Sequence, residues 1–382
     1  MLQFCTGCFP ITFTCNKEGE VLKNLFRITF LITVLVQLSG CTQFQQPAIE
    51  DFGLVQVVSF DYMESTKETK VSVLIPQVIT RDKESIKVYE VTDDTIAGAI
   101  NKLSMKIDKT IVPSQLQVGL ISQKYAKEKG MKELTEHFRY NPHFSMNMMM
   151  AVTEEDAVDI ITGKYVDEPK INEYIISLMT PRYNKSFATF ISLQEVDYKT
   201  SSGTADPTLP LLIKEDEQLS LKGNVLFRDY KMQRSLTIDK SNILQLLKEK
   251  RAELFSVGMD LKDSERKRVY TRSLKSKVSY ISNGDLSDPQ VTVKMDIQVN
   301  GLSVEMGPIH ASEKRISQYF QTEVNQLIAE LQKEKVDAIG MGEAFRRSHR
   351  GQWSGEKWRQ TFPKVRYTTE VTTEITEEGM SQ

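Results

Sequence analysis

The fold of the C-terminal half of this chain is decided by one stretch, VTVKMDIQV at residues 291–299. Apolar side chains at every second position, with polar ones between them, predict a strand that is buried on one face only. Such strands are typical of antiparallel sheets with one solvated face. The pair Asn300-Gly301 comes directly afterwards and predicts a type I′ hairpin turn into a further strand at 302–306.

A long amphipathic helix is expected to cover the apolar face of that strand. Its apolar positions share one stripe at helical spacing: Ile316, Tyr319, Phe320, Val324, Leu327, Ile328 and Leu331. Ser312 is the expected N-cap of this helix. A closing strand is predicted at 365–375, with Val365, Tyr367, Val371 and Ile375 on one face. Together these elements predict a helix laid across a mostly antiparallel sheet, which is an α+β module.

The preceding part of the chain also mixes strands with helices. Nearly continuous apolar runs predict buried strands at 54–60, 71–75 and 187–196, and helical spacing predicts a helix at 93–105. The small, polar stretch 199–207 ends in proline and predicts a linker at 199–208. The expected organisation is α+β with mixed and antiparallel sheets, each packed with helices, in three domains: 51–112, 113–198 and, after the linker 199–208, 209–380.

Ahead of these domains, Leu38, Ser39, Gly40 and Cys41 have the pattern of a lipobox. Basic residues precede a short apolar run at 28–36, which is the anatomy of a signal peptide. The run is too short for the roughly 20 apolar residues of a bilayer-spanning helix. We therefore expect a signal peptide at 1–40, a diacylglycerol on the Cys41 thiol and a lipidated tether at 41–50.

Alternatives remain for this N-terminal region. The apolar run could be an uncleaved anchor or a buried strand, although neither explains why Gly40-Cys41 stands where cleavage is expected. Residues 1–20 are either genuine or an upstream extension from a misassigned start, since a signal peptide of ordinary length would begin near Val21.

The remaining composition excludes several classes of function. The four cysteines all lie within the first 41 residues, so the mature chain has no disulfides. The net charge of -2 argues against a nucleic-acid partner. The four histidines lack metal-ligand spacing, and no nucleophile elbow or phosphate-binding loop occurs. The sequence thus indicates a protein that is not an enzyme, with no metal and no cofactor besides the lipid on Cys41.

One dense cluster near the C-terminus is a candidate site. It combines a carboxylate pair, glycines and both tryptophans of the chain: Asp337, Gly340, Gly342, Glu343, Trp353 and Trp358. Such a group could form a ligand pocket or a surface for a partner. The structural interpretation is that the glycines end the long helix and the tryptophans pin a shorter helix to the sheet. We favour the structural role.

With these features assembled, the chain resembles the Ger(x)C family, the lipoprotein C subunits of nutrient germinant receptors in endospore-forming bacteria. The resemblance covers nearly all of the mature chain. It rests on the lipobox at Cys41, the strand at 54–60 ended by Asp61, the stretch 223–231, and the stretch 337–343 with both tryptophans. One departure is Thr42-Gln43 after the cysteine, where such proteins commonly have Trp-Asp, and the N-terminal extension is another.

The resemblance implies a three-domain α+β lipoprotein that is not an enzyme. It implies anchoring at the outer face of the spore inner membrane and assembly with an A subunit, which has a polytopic membrane part, and an integral membrane B subunit. The alternative is a solute-binding lipoprotein of a transporter, which normally has two doubly wound lobes. The alternation at 291–299 argues against that alternative.

Overall fold

The structure is a computed structural model that describes residues 25–33, 52–80, 83–141, 143–165, 170–180, 191–261, 268–303, 308–349, 351 and 353–377. The chain divides into two units, Met1–Glu50 and Asp51–Gln382. In the first unit, residues 25–33 are helical. The lipobox residues Leu38, Ser39, Gly40 and Cys41 lie outside the described residues. Among the described helices, none has the length and apolar character needed to cross a bilayer.

The unit Asp51–Gln382 consists of short helices and strands around two main sheets. Its strands are β1 (Phe52–Leu54), β2 (Val57–Tyr62), β3 (Thr69–Thr80), β4 (Lys83–Asp93), β5 (Thr110–Val112), β6 (Val118–Ser122), β7 (Met149–Thr153), β8 (Thr208–Glu215), β9 (Gln218–Arg228), β10 (Lys231–Ser235), β11 (Arg251–Phe255), β12 (Gly258–Met259), β13 (Val269–Ser282), β14 (Gln290–Leu302) and β15 (Arg366–Glu377). Its helices are α1 (Ile96–Lys106), α2 (Gln123–Glu128), α3 (Lys132–Tyr140), α4 (Ala157–Thr162), α5 (Ile171–Met179), α6 (Leu193–Ser202), α7 (Ile238–Lys248), α8 (Ile309–Glu334), α9 (Met341–Arg346) and α10 (Gly355–Thr361).

The larger sheet has eight strands in the order β10-β9-β8-β7-β6-β2-β3-β4 and forms the N-terminal module, residues 52–235. Its central strands β8, β7, β6 and β2 run parallel, and the outer pairs are antiparallel. Central parallel strands need apolar residues on both faces because helices cover both. Thus Val58 and Phe60 pack with Leu103 of α1, whereas the preceding Val57 packs with Ile160 of α4.

The smaller sheet has five strands and forms the C-terminal module, residues 238–377, with α7 to α10. Strand β13 pairs antiparallel with β11, β12 and β14, and β15 pairs in parallel with β14. The predicted alternation of β14 is confirmed, because Val291, Val293, Met295, Ile297 and Val299 are all buried. They share one apolar core with Phe320 and Val324 of α8. The predicted fold class, α+β with mixed and antiparallel sheets, is confirmed.

The predicted hairpin at Asn300-Gly301 is wrong. Strand β14 continues to Leu302, which still pairs with Thr271 of β13. Gly301 has a φ of 63°, and the register against β15 shifts between Val299 and Asn300. The left-handed conformation that glycine allows therefore produces a local irregularity within a long strand, as in a bulge, instead of a reversal of the chain.

Two further local predictions differ from the structure. Helix α8 begins at Ile309 after Pro308, so Ser312 is not its N-cap; the Ser312 hydroxyl donates to the Pro308 carbonyl at 3.2 Å from within the first turn. The strand predicted at 187–196 is replaced, in its described part, by the start of α6. Ser192 caps that helix by accepting from the Glu195 N–H.

The predicted domain boundaries do not fit the sheet. Helix α6 runs to Ser202, and β8 begins at Thr208 and pairs in parallel with β7, so the stretch 199–208 connects two elements of one module. The expected division between 51–112 and 113–198 also falls inside this sheet, because β2 pairs with β6. The composition indicates a polar connection between elements. It does not show that the helix before it and the strand after it belong to the same module.

The carboxylate of Asp61 joins the large sheet to a helix. Asp61 lies in β2 and is 1% exposed. Its two oxygens accept from the N–H groups of Ala157 at 2.6 Å and Val158 at 3.0 Å, in the first turn of α4. These N–H groups have no partner inside the helix, so the carboxylate satisfies donors that would otherwise be buried and unpaired.

Replacing Asp61 by alanine should therefore lower the free energy of unfolding by about 2 to 4 kcal/mol, because two buried N–H donors lose their acceptors. Urea denaturation followed by circular dichroism measures the change. The matched control is Glu64→Ala, which removes an exposed carboxylate paired with Lys124 at 3.4 Å and should cost less than about 1 kcal/mol. Equal urea midpoints for the two variants would contradict the role given to Asp61.

Candidate functional site

The predicted cluster lies where the two modules meet. We call this region the module junction and define it by Gly203, Asp206, Asp337, Gly340, Gly342, Trp353, Gly355, Trp358 and Arg359. Residues 203 and 206 follow α6 in the N-terminal module. The others lie in the segment from the end of α8 to α10 in the C-terminal module.

The Asp337 carboxylate is the centre of the junction. Its Oδ1 accepts from the Met341 N–H at 3.0 Å, and its Oδ2 accepts from the Gly342 N–H at 2.8 Å and from Trp358 Nε1 at 2.9 Å. Two of these donors are at the start of α9, where backbone N–H groups have no partner inside the helix. Asp337 therefore fixes α9 and α10 against each other.

Asp337 also connects the modules through its backbone. The Asp206 N–H donates to the Asp337 carbonyl at 2.8 Å, and the Asp337 N–H donates to the Asp206 carboxyl at 2.7 Å. The side chain of Asp206 is thus placed by the backbone of Asp337, and both residues are less than a tenth exposed. Two aspartates from different modules form one reciprocal hydrogen-bonded pair.

Burial changes the acidity of both carboxyls. It raises the pKa of Asp206 to about 7, with the nearby charge of Asp337 adding to the rise and the Arg359 cation opposing it. Burial also raises the pKa of Asp337, to about 6. The three N–H donors around Asp337 favour its ionised form and limit that rise. Burial therefore favours the protonated form of both carboxyls relative to exposed aspartates.

The two tryptophans complete the junction. Trp358 is 1% exposed and packs between Phe345, Phe362 and Trp353, with ring centroids 5.0, 5.8 and 5.9 Å away. Trp353 is half-buried, and its Nε1 donates across the junction to the Ser202 carbonyl at 3.2 Å. The tryptophans therefore pack inside the C-terminal module and also reach the end of α6.

Glycine is required where the modules touch. A Cβ on Gly203 would lie 2.5 Å from the Gly355 Cα, and one on Gly355 would lie 2.8 Å from the Gly203 Cα. Gly203 also has a φ of 60° as the residue that ends α6. A Cβ on Gly342 would lie 2.6 Å from Trp358 Nε1. The two backbones therefore approach more closely than any side chain allows.

Arg359 links the junction to an open cleft. Its guanidinium donates to the Thr200 carbonyl at 3.2 Å and pairs with Asp229 at 3.0 Å. The cleft has a volume of about 620 Å³, and its lining comes from both modules: Arg228, Asp229, Lys335, Glu356, Arg359, Gln360, Pro363 and Lys364. Most of these side chains are charged, so the cleft is a polar feature beside an apolar core.

The structure brings together five of the six cluster residues that the sequence singled out. Glu343 is the exception, because it forms partly exposed pairs with Arg346 at 2.7 Å and Arg347 at 3.6 Å. The arrangement favours packing over direct partner contact for Asp337 and Trp358, which are enclosed. In the part of the chain that the structure describes, no three His, Cys, Asp or Glu side chains are placed to hold a metal ion.

Sequence reasoning missed the N-terminal half of the junction. Gly203 and Asp206 stand in the small, polar stretch that predicts a linker, and Asp206 precedes Pro207 as a turn residue commonly does. The sequence around Asp206, Ala205 and Pro207 included, gives no sign that this carboxylate is buried. Arg359 was missed because a cation in a short helix is usually solvated.

Comparisons with known proteins agree along the length of the chain. Residues 45–214 match the family model described as "Spore germination protein N-terminal domain", and residues 222–379 match the one described as "Spore germination B3/ GerAC like, C-terminal". The gap between the two matches, residues 215–221, covers the turn between β8 and β9 and the first residues of β9. Most of β9 and all of β10 lie within the second match in sequence. In the structure, both strands are hydrogen-bonded into the sheet of the N-terminal module.

Relatives cover almost the whole chain. Spore germination protein GerQC of Bacillus cereus is 25% identical over 374 residues, which span 93% of this chain and 99% of the relative. Spore germination protein KC of Bacillus subtilis (strain 168) is 21% identical over 385 residues, 90% of this chain and 92% of the relative. The crystal structure of the GerBC protein superposes with a TM-score of 0.53 at 13% identity, covering 84% of this chain and 97% of that one.

Replacing Asp337 by alanine should destabilise the protein by about 3 kcal/mol or more, because three buried donors lose their acceptor. Chemical denaturation of the full chain measures this. Glu343→Ala is the matched control from the same segment, and its loss should stay below about 1 kcal/mol because its arginine pairs are partly exposed. An Asp337→Ala variant as stable as Glu343→Ala would refute the central position of this carboxylate.

The buried pair should also make stability depend on pH. The ordinary pKa of aspartate is 3.8, and burial raises that of Asp206 to about 7, so the folded chain binds a proton that the unfolded chain releases. The contribution of Asp206 to the free energy of unfolding should therefore be greatest at about pH 4 and below. It should fall by up to about 4 kcal/mol as the pH rises to about 7.

Asp206→Asn should remove most of that decline, because the amide keeps the acceptor for the Asp337 N–H without titrating. Denaturation midpoints at pH 4.5, 5.5, 6.5 and 7.5 measure the slope. Asp216→Asn is the control, since Asp216 is an exposed turn residue. If wild type, Asp206→Asn and Asp216→Asn had parallel profiles, the raised pKa of Asp206 would be excluded.

Proposed function

The chain belongs to the family of GerAC-like spore germination proteins, and from that membership we propose that it is the lipoprotein C subunit of a nutrient germinant receptor. The observation that carries the proposal is the pair of consecutive family matches, which together account for most of the chain. In this role the protein is needed for the response to a germinant because it assembles with the membrane-embedded A and B subunits of the receptor.

The proposed attachment is a diacylglycerol on Cys41 after removal of residues 1–40. The support is the order Leu38, Ser39, Gly40 and Cys41 behind a short apolar run. Two acyl chains suffice for stable attachment, since a single chain of about 14 carbons gives only marginal binding. The anchor would hold the folded unit at the outer face of the spore inner membrane, on a tether of about ten residues.

We infer that the protein acts by assembly and not by catalysis. A catalytic carboxyl needs access to a reacting group. At the junction, by contrast, the Asp337 oxygens accept from backbone and indole N–H groups, and Asp206 is committed to the backbone of Asp337. Both raised pKa values therefore have a structural cause, which is the burial of the contact between modules.

The solute-binding lipoprotein of a transporter has less support. Such proteins have two lobes built on doubly wound sheets. The N-terminal module has helices on both faces of its central parallel strands, but α8 and the one apolar face of β14 define the core of the C-terminal module. The two modules are thus different in kind, which fits the family assignment better than a pair of similar lobes.

Lipidation and function can be tested together in a spore-forming host in which the variant gene replaces the wild-type gene. Mass spectrometry of the spore membrane fraction should find an N-terminal peptide that begins at a diacylated Cys41. Cys41→Ala should move the protein out of that fraction and reduce the germination rate in a nutrient mixture at least about tenfold. Cys15→Ala is the matched control, because Cys15 lies in the segment proposed to be removed, and it should behave as wild type.

Two results would contradict the proposal. One is an intact, unmodified N-terminus in the membrane fraction together with normal germination of the Cys41→Ala strain. The other is a deletion strain that germinates normally but fails to take up a solute, which would favour the transporter protein.

A further inference from the structure

The cleft beside the junction has the properties of a ligand site that the proposed function does not require. Its volume of about 620 Å³ lies within the range of about 300 to 1,000 Å³ typical of small-molecule sites. Its walls carry four cations, Arg228, Lys335, Arg359 and Lys364, and two carboxylates, Asp229 and Glu356. Since the whole chain has a net charge of -2, this concave surface is more positive than the protein average.

The charges inside the cleft are not balanced among themselves. Asp229 pairs with Arg359 at 3.0 Å and lies 3.6 Å from Arg228. No carboxylate within 4 Å of Lys335 or Lys364 is found among the residues that the structure describes. Lys335 and Lys364 are exposed on this concave surface, and of the two carboxylates in its lining only the exposed Glu356 remains to offset them. A multiply charged anion would restore the balance.

Arg359 is already positioned for such a ligand. Its contacts with the Thr200 carbonyl and with Asp229 hold the guanidinium in place. They leave one further N–H on each of Nη1 and Nη2 for a ligand, whereas Nε is buried. A fixed guanidinium binds carboxylate or phosphate oxygens with little loss of side-chain entropy, which lowers the cost of binding.

The cleft also joins the two modules. Arg228 and Asp229 lie at the turn between β9 and β10, whereas Lys335 ends α8 and Lys364 follows α10. Lys335 and Arg359 additionally line an internal cavity of about 10 Å³, which Asp206 and Asp337 also border. An anion bound in the cleft would therefore contact both modules directly beside the buried carboxyl pair.

We propose that this cleft binds a small organic anion with at least two carboxylate or phosphate groups, held by Lys335, Lys364 and Arg359. Carboxylates and phosphates share the oxygen geometry that these cations recognise. The six charged residues among the eight that line the cleft favour a highly charged molecule over an apolar one. This inference concerns the folded unit alone and stands whether or not the receptor role is correct.

The test uses the purified full-length chain in detergent at about 50 mM KCl, with citrate and inorganic phosphate as probes. Both tryptophans of the protein lie at the junction, and Trp358 is the neighbour of Arg359 in sequence, so selectively excited tryptophan fluorescence reports on this region. Citrate, phosphate or both should change the fluorescence saturably and raise the thermal midpoint, because a ligand that binds only the folded state stabilises it. Citrate alone would identify a carboxylate site, and phosphate alone a phosphate site.

Variants separate this site from general attraction to a positive surface. Lys335→Gln combined with Lys364→Gln should weaken binding by at least about tenfold, since each lysine contributes roughly a fivefold electrostatic effect at partial exposure. Lys357→Gln is the matched control, because Lys357 is an exposed cation of α10, the helix that precedes Lys364, and does not line the cleft. It should bind like wild type, and both variants should melt at the wild-type temperature without ligand.

Three outcomes would overturn the proposal. The first is no saturable response to either probe up to about 20 mM. The second is unchanged affinity in the double variant with Lys335→Gln and Lys364→Gln. The third is an equal loss of affinity in Lys357→Gln, which would show that the response comes from overall charge and not from the cleft.

Discussion

The folded unit depends on the contact between Asp337 and Asp206. One carboxylate accepts three N–H donors from its own module, and its backbone exchanges two hydrogen bonds with an aspartate of the other module. Polar groups of this kind are costly to bury unless every member has a partner, and here the partners come from both modules. The pair therefore joins two sheets that share no strand, together with the packing of Leu226 and Leu236 in the C-terminal core.

This constraint explains several features that would otherwise be unrelated. Gly203 and Gly355 must lack side chains because the Asp206 contact draws the end of α6 onto the start of α10. Trp353 and Trp358 pack on the C-terminal module's side of the junction. Trp353 also donates to the Ser202 carbonyl of the N-terminal module. In the proposed role as a membrane-anchored subunit, this link would couple contacts made by one module to the other. The charged cleft lies at the same place.

The sequence predicted what depends on local pattern. The alternation of β14, the stripe of α8 and the closing strand β15 were all recognisable, because burial of one face imposes a period of 2 or 3.6. The prediction failed where tertiary context decided the outcome. Asn300-Gly301 is a pair typical of turns but lies in a strand that pairs with β13. Ser312 is a residue typical of N-caps but lies inside the helix, which begins after Pro308.

The sequence revealed part of the candidate site. The residues near Asp337 were found because they stand close together in the sequence, whereas Asp206 is 131 residues away and has no local signal.

The account is tested most directly by native-state hydrogen exchange of the full chain. If the aspartate pair joins the modules, slowly exchanging amides in β2 of the N-terminal module and in α8 of the C-terminal module should report the same opening free energy in the wild type. In a variant with Asp206→Ala, the two values should separate by about 2 kcal/mol or more, as each module opens by itself. Values that already differ in the wild type, and do not move in the variant, would contradict the account.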